Sequence, residues 1–362
     1  MSALADRPLL YSARPKLAIA GRDQPALAAS AVSLAVSERA DGLYTLEATL
    51  GNWGARSGGV GYVHFDRALL DFGAEIAVEL GAGDAFGTVF SGRITAIEGR
   101  FPQQRSPEVL VLAEDRLQDL RMTRRTRVFE NKTVEDIIGE IASGHQLDKA
   151  VDIEPVTLPV MAQLNQSDLA FLRLLARIVD ADVWFEDRKL HVQARARRRG
   201  QKVTLVYGQT LHELSVSADL AHQRTAVVVA GWNATDKEGL SERAGSDKIQ
   251  GELDGGVSGP SILSQKFGDR PEQLVHEYPL SSSEARARAE ARMRSVSRRF
   301  VTGHGVCEGD ARIRVGAKVT LQGVGDLFDG AYFVSEARHL FDYRFGYRTA
   351  FRVERPGLGQ PR

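Results

Sequence analysis

The chain has 362 residues, of which 43% are apolar and 26% are charged, and its 47 basic residues balance 47 acidic ones. A single hydrophobic core stops growing near about 250–300 residues, so this length predicts two or three domains. Balanced charge excludes a strong net field toward DNA or an anionic membrane. We therefore expect protein partners, no nucleic-acid binding and no membrane anchor.

The cysteine content, the apolar runs and the first residues indicate what class of protein this is. The single cysteine, Cys307, excludes internal disulfides and sites built from several cysteines, and a small buried apolar residue is its ordinary interpretation. No apolar run approaches the about 18 residues that span a bilayer. Residues 1–11 lack a basic stretch followed by an apolar one, so we expect no secretory signal and assembly in the bacterial cytoplasm.

The first region, residues 1–118, has the alternating pattern of antiparallel strands. Apolar residues recur at every second position in TLEATL at 45–50, EIAVEL at 75–80 and RITAIE at 93–98, and glycines separate these runs. This pattern predicts a first small antiparallel β-barrel.

The pattern changes to a helical period in residues 119–200. Thr133 and Asp136 resemble a capping box before an apolar face, and a second helix is predicted from Ser167. Two short strands, 181–186 and 189–193, follow as a hairpin. We therefore predict an α+β domain here.

Alternation returns in residues 201–235 and again in 300–358, which together predict a second β-barrel. The residues between them, 236–299, form a predicted insertion. It begins polar and glycine-rich and ends in an arginine-rich helix that starts near Ser281. The predicted fold class is thus mainly β with α+β, and the two barrels flank the α+β domain.

One sequence unit occurs twice. GAEIAVELG at 73–81 is matched by GAKVTLQG at 316–323, and each copy is followed by a Phe-x-Gly sequence, an alternating strand and a phenylalanine. The spacing is too long for a solenoid and indicates a duplicated β-unit, although two glycine-bounded strands can also resemble each other by chance. The matched positions are Gly73, Phe90, Gly92 and Phe101 in the first copy and Gly316, Phe328, Gly330, Tyr332 and Phe341 in the second.

The segment 316–342, followed by GYRTAF at 346–351, resembles the C-terminal signature of the phage late control gene D protein family. QLNQSDLAFLRLLA at 163–176, VWFE at 183–186 and VVVAGW at 227–232 are similar to other parts of that family in the same order. The members are hubs of contractile tails and resemble the hub portion of VgrG spike proteins. The resemblance extends over nearly all of residues 16–353.

This resemblance implies a homotrimeric ring with two similar barrels per subunit. Six barrels in a circle would join a threefold spike protein to a hexameric tube or tube-initiator protein, beside other baseplate proteins. VgrG chains continue into a needle, whereas this sequence ends at Arg362, so the spike is expected to be a separate protein. The host particle, a phage, a tailocin or another contractile injection system, stays open.

No enzymatic site, cofactor or metal centre is predicted. The eight histidines are scattered, and no His-x-His, His-Glu-x-x-His or glycine-flanked serine motif is present. His339, inside the second repeat, is interpreted as packing or hydrogen bonding at a domain seam. Six acidic residues in the insertion leave a cell-wall hydrolase as one alternative, and a monomeric carbohydrate-binding module is another. The six acids are Asp236, Glu238, Glu242, Asp247, Glu252 and Asp254.

Clusters of arginine are the remaining candidates for a binding surface. Such clusters commonly pair with neighbouring acids, and aromatic residues that could stack on bases are not interleaved with them. Where they do bind, a protein interface is the better functional reading, because arginine is enriched there. The candidate interface residues are Arg124, Arg125, Arg197, Arg198, Arg292 and Arg298.

Overall fold

The computed structural model describes residues 14–56, 58–82, 85–233 and 237–359. The prediction about a signal at residues 1–11 and the acidic residue Asp236 therefore lie outside the described residues. Half of the residues lie in strands and one fifth in helices, which confirms a mainly β chain. In the described part, no helix is both long enough and apolar enough to cross a membrane.

The first β-unit is built from strands whose apolar side chains alternate between a buried and an exposed face. Leu46, Val78 and Val111 are fully buried in its core. Its elements are β1 (Lys16–Ile19), β2 (Arg22–Asp23), α1 (Pro25–Ala29), β3 (Ala31–Arg39), β4 (Thr45–Gly51), β5 (Gly54–Arg56), β6 (Gly59–Gly61), β7 (Glu75–Ala82), β8 (Ala85–Arg100) and β9 (Glu108–Glu114).

The α+β domain follows, with a core of its own. Thr133 and Asp136 form the predicted capping box, and the Ser167 side chain caps the second helix. Its elements are a 3-10 helix (Arg116–Leu120), β10 (Arg124–Thr133), α2 (Val134–Gly144), β11 (Asp148–Asp152), β12 (Thr157–Ser167), α3 (Asp168–Ile178), β13 (Ala181–Glu186), β14 (Lys189–Ala194) and a 3-10 helix (Arg195–Arg197). The antiparallel pairing of β13 with β14 confirms the predicted hairpin.

The second β-unit is interrupted by an insertion that is folded, with a small core of its own. The unit begins with β15 (Lys202–Val206) and β16 (Leu211–Ala218). The insertion contains β17 (Ala226–Asn233), β18 (Glu238–Gly245), a 3-10 helix (Ser246–Glu252), β19 (Val257–Ser258), α4 (Gly259–Phe267), β20 (Glu272–Leu274) and α5 (Ser282–Arg298). The unit then resumes with β21 (Val301–Glu308), β22 (Lys318–Gln322), β23 (Gly330–Asp342), β24 (Gly346–Arg355) and β25 (Gly357–Leu358).

The predicted boundary of the insertion needs correction. Sequence alternation placed β17 in the second β-barrel, but β17 pairs with β18 and β20, and its buried side chains contact α5. The hydrogen-bond partners of β17 thus belong to the insertion and not to the second β-unit. Its polar, glycine-rich first half contains β18 and a 3-10 helix.

The two β-units share one 13-stranded sheet and do not form two separate barrels. The strand order is β16-β21-β24-β23-β3-β4-β9-β8-β7-β1-β2, and β15 and β22 attach beside β23. Strand β3 of the first unit pairs antiparallel with β23 of the second. Because this pairing joins the units edge to edge, the described strands close no barrel.

The six main strands of each unit have the same connectivity. In chain order β1, β3, β4, β7, β8 and β9 correspond to β15, β16, β21, β22, β23 and β24, and corresponding strands have corresponding neighbours. Two bulges also coincide: Ala31/Ser33 on β3 matches Leu211/Glu213 on β16, and Ile94/Ala96 on β8 matches Val334/Glu336 on β23. The pairing of β1 with β7 is antiparallel, whereas that of β15 with β22 is parallel.

Candidate assembly interface

The joint between the two β-units, hereafter the in-chain joint, consists of residues 33–39 of β3 and 336–342 of β23. Its register places Phe341 opposite Leu34 and His339 opposite Val36. On this face Ala337, His339 and Phe341 from one strand and Leu34, Val36 and Glu38 from the other are at most 2% exposed. This face of the joint is therefore as buried as the interior of a domain.

Buried ion pairs lie at this joint and in the α+β domain. Glu38, 1% exposed, forms an ion pair with Arg314 and accepts a hydrogen bond from the backbone N–H of Val315. Burial raises the pKa of the Glu38 carboxyl, and the Arg314 charge opposes that rise. Within the α+β domain, Arg198 donates to Asp182 at 3.0 Å and stacks over Trp184. The Glu38 contacts connect the second unit to the first.

His339 occupies the middle of the in-chain joint. It is fully buried, and its Nδ1 lies 2.9 Å from the Tyr347 hydroxyl. Burial lowers the pKa of His339 to about 3, and the nearby Arg314 charge lowers it further while Asp310 opposes. The imidazole is therefore neutral at physiological pH and packs at the seam between the units.

Two strand edges that correspond to the in-chain joint have no partner among the described strands. Residues 96–100 of β8 pair with β9 on one side only, and residues 213–218 of β16 pair with β21 on one side only. By the matched bulges, these segments correspond to the parts of β23 and β3 that meet in the joint. Each unit thus has both edges of the joint, and the chain uses β3 of the first unit and β23 of the second. The complementary edges, β8 of the first unit and β16 of the second, stay unpaired among the described strands.

An exposed aromatic patch adjoins the unpaired edge of β8. Trp53, Tyr62, Phe65 and Phe101 are 49%, 40%, 36% and 63% exposed. The Tyr62 ring contacts the other three rings, and Phe65 also contacts Phe101, with ring centroids 5.3 to 6.0 Å apart. An apolar cluster of this kind on a protein surface is typical of an interaction site.

The nine repeat residues were predicted to be structural, and the two copies can be compared by their backbone geometry and strand register. Gly73 and Gly316 both have positive φ and donate their N–H to the carbonyls of Ile94 and Val334, which are equivalent positions. The pairing register, however, equates Phe90 with Gly330 and Gly92 with Tyr332, because Val78 faces Phe90 and Leu321 faces Gly330. The alignment of the two Phe-x-Gly sequences is therefore displaced by two residues.

The repeat aromatics differ strongly in burial. Phe90, Tyr332 and Phe341 are at most 2% exposed, and Phe328 packs against the second core. Phe341 packs into the core of the first unit although its strand belongs to the second. Phe101, its equivalent in the first copy, is the exposed exception.

The candidate arginines are mostly committed to contacts inside the chain. Arg198 and Arg298 are 8% and 3% exposed, and Arg298 forks onto Asp180 and Glu252 at 2.5 to 2.6 Å, so these two are internal and not interface residues. Arg125 pairs with Asp168 at 3.2 Å and Arg292 with Glu272 at 2.8 Å. The exposed remainder are Arg124, which donates to the Asn165 carbonyl, and Arg197, which pairs with Asp152 and Glu154.

Three of the insertion acids are likewise paired with bases. Glu242 lies 3.2 Å from Arg286, Glu252 lies 2.6 Å from Arg298, and Asp254 lies 3.5 Å from Lys318. Within the described residues no group of three or more His, Cys, Asp and Glu is arranged to hold a metal ion. Burial raises the pKa of the Cys307 thiol to about 12, so this thiol is not activated. The candidate functional features of the described residues are therefore the two unpaired strand edges and the aromatic patch.

Sequence reasoning did not identify the unpaired edges or the aromatic patch. Alternation marks Leu214 and Val216 as strand residues with one apolar face, but it carries no information about which edge stays unpaired. The available signal was aromatic enrichment, Trp53, Tyr62 and Phe65, around the glycine-rich segment 54–61.

Several solved structures share the fold of this chain. The 43 kDa tail protein of prophage MuSo2 from Shewanella oneidensis aligns with 95% of this chain and 98% of its own at a TM-score of 0.66 and 14% identity. A tail protein from Neisseria meningitidis aligns with 96% of this chain and 98% of its own at a TM-score of 0.65 and 14% identity. A type VI secretion component from E. coli is described as structurally similar to bacteriophage T4 tail proteins. It aligns with 96% of this chain and 79% of its own at a TM-score of 0.56 and 14% identity. The chain therefore has a tail-protein fold.

Sequence comparison gives one family. The family described as the Alg8 N-terminal domain matches residues 62–342, which is more than three quarters of the chain. No curated protein matches the sequence.

Proposed function

The chain belongs to the Alg8 N-terminal domain family, and we propose that it is the structural hub of a contractile tail or injection system. In this proposal three copies form a ring that adapts a threefold spike to a sixfold tube. The observation that carries it is the pair of β-units with the same strand connectivity and matched bulges, joined edge to edge.

Duplication explains how a trimer can meet a hexamer. A heterologous contact repeated three times closes a cyclic ring, and a subunit with two similar units then places six similar units around the axis. A hexameric tube ring can bind such a surface with six nearly equivalent contacts. In this proposal the α+β domain and the insertion lie outside the ring, and each has a core of its own.

The proposed partners follow from this geometry. One face of the ring binds the tube or tube-initiator protein, the opposite face binds the trimeric spike, and other baseplate proteins bind the periphery. Permanent interfaces of this kind bury more than about 2,000 Å² and have apolar centres. Assembly is proposed in the bacterial cytoplasm, before the hub becomes part of a virion or injection particle.

The activity is proposed to be mechanical and not enzymatic. Two solved structures with this fold are described as tail proteins, and three of the insertion acids, Glu242, Glu252 and Asp254, lie in ion pairs. A hydrolase needs a pair of acids free to protonate and to activate water. Purified protein is therefore expected to leave a peptidoglycan suspension turbid, and clear lysis of the suspension would contradict a purely structural role.

Molar mass in solution tests the ring directly. The subunit mass is 39.6 kDa, and light scattering at micromolar concentration should give three times that value. A single subunit mass under these conditions, with or without the spike protein, would contradict the proposed trimer. It would favour a monomeric binding module instead.

A further inference from the structure

We propose that the subunit contact of the ring is a strand pairing between β16 of one copy and the C-terminal half of β8 of the next copy. The occupant of each unpaired edge is thus a second copy of this chain. The proposal rests on the trimer proposed above and adds its location and register.

The register follows from the bulges. Bulge matching equates residues 96–102 with 336–342 and residues 213–219 with 33–39. Within the chain Phe341 lies opposite Leu34, His339 opposite Val36 and Arg338 opposite Ser37. Transferred to the subunit contact, Phe101 lies opposite Leu214, Gly99 opposite Val216 and Glu98 opposite Ser217.

The core-facing sides of the two edges are apolar. Ile97, Gly99 and Phe101 share one face of β8, and Leu214, Val216 and Ala218 share one face of β16. Their equivalents in the in-chain joint are at most 2% exposed, whereas Phe101 is 63% exposed and Leu214 and Val216 are only half-buried. Pairing would give these side chains the burial that their equivalents already have.

Both backbones are able to pair. Residues 96–101 and 213–219 contain no proline, so each residue retains an N–H donor for a strand ladder. The outward-facing pairs would be Glu98 with Ser217 and Arg100 with Ser215, so no like charges meet. An unprotected edge of this kind is a template for pairing with another chain.

The aromatic patch extends the contact beyond the strands. Phe101 touches Tyr62 and Phe65, with ring centroids 6.0 Å apart in each case. A strand docked with Leu214 against Phe101 would therefore also approach this patch. Because the patch and the unpaired edge are continuous on the first unit, one neighbouring copy can cover both.

Disulfide trapping tests the register. The variant Glu98→Cys with Ser217→Cys, in a background with buried Cys307 unchanged, should form disulfides between subunits and give covalent dimers and trimers on a non-reducing gel. The matched in-chain pair Ser37→Cys with Arg338→Cys should bridge without a change in mass, which calibrates the geometry. Glu98→Cys with Glu213→Cys, four residues out of register, should give at least about 10-fold less covalent oligomer.

The outcomes separate this contact from the trimer itself. Trimers by light scattering, with the in-chain pair bridged but the 98/217 pair unbridged, would overturn the contact and leave the proposed function standing. Monomers by light scattering would overturn both. Equal bridging of the 98/217 and 98/213 pairs would overturn the register.

A second variant needs no disulfide. Phe101→Glu places a charge on an exposed side chain, so the subunit should fold while the concentration for half-assembly rises at least about 10-fold. Phe267→Glu, at a position that is 58% exposed in the insertion, is the control and should assemble as the native chain does. Unchanged assembly of Phe101→Glu would contradict the contact.

Discussion

Glu38 shows how a buried charge at the seam depends on its partner. Its side chain is fully buried, and Arg314 is its ion-pair partner. Removing one member of a buried pair leaves an uncompensated charge, which costs about 3–5 kcal/mol in the free energy of unfolding. The seam between the β-units therefore depends on a contact that the sequence alone did not identify.

Arg314→Met should lower the free energy of unfolding by about 3 kcal/mol, the lower end of that range, because Glu38 can take up a proton. Urea unfolding followed by circular dichroism measures the loss. Arg312→Ala, which removes an exposed pair with Asp310, is the control and should cost less than about 1 kcal/mol. Equal losses would contradict a special role for the buried pair.

His339 predicts a pH dependence. Its folded pKa, about 3, lies below the ordinary value of 6.5, so the unfolded chain binds the proton first as the pH falls. The stability that the neutral imidazole contributes is complete above about 6.5 and is lost between there and about 3. His339→Gln should flatten the fall in unfolding free energy within that window, and His304→Gln, which changes an exposed side chain on β21, is the control. An unchanged slope would contradict the prediction.

At the scale of elements, local signals predicted what local forces determine. The capping box at Thr133, the helix from Ser167 and the 181–194 hairpin were all predicted, because caps and hairpins involve residues close in sequence. The partner of a strand is a different matter. Pairing of β3 with β23 joins positions about 300 residues apart, and alternation alone gives no partner for β17.

The two glycines that open the equivalent strands should differ in their tolerance of a side chain. Both have positive φ, but a Cβ at Gly73 meets open space and one at Gly316 would overlap the Arg198 guanidinium. Gly73→Ala should cost about 1–2 kcal/mol from backbone strain. Gly316→Ala should cost about 1–3 kcal/mol more, because buried Arg198 must move.

Urea unfolding of the two glycine variants measures this difference. Losses of the same size would show that Arg198 moves freely, and the close packing of Gly316 against Arg198 would then have no energetic consequence.

At the scale of the whole molecule, the candidate surface for assembly is formed by strand edges and not by the arginine clusters. Arginines that the sequence offered as interface candidates hold the chain together, as Arg298 does between α5 and the α+β domain. The surfaces left for assembly are two strand edges and an aromatic patch. The duplicated β-unit, which suggests a ring, could be predicted from the sequence. The unpaired edges of β8 and β16 could be identified only once the partners of all described strands were known.

The central claim, a threefold ring of six similar β-units, is tested most directly by electron-microscope class averages of the purified protein. The account predicts rings with three subunits and six inner lobes, with three outer projections from the α+β domain and the insertion. Averages of single subunits, or of twofold particles, would contradict it.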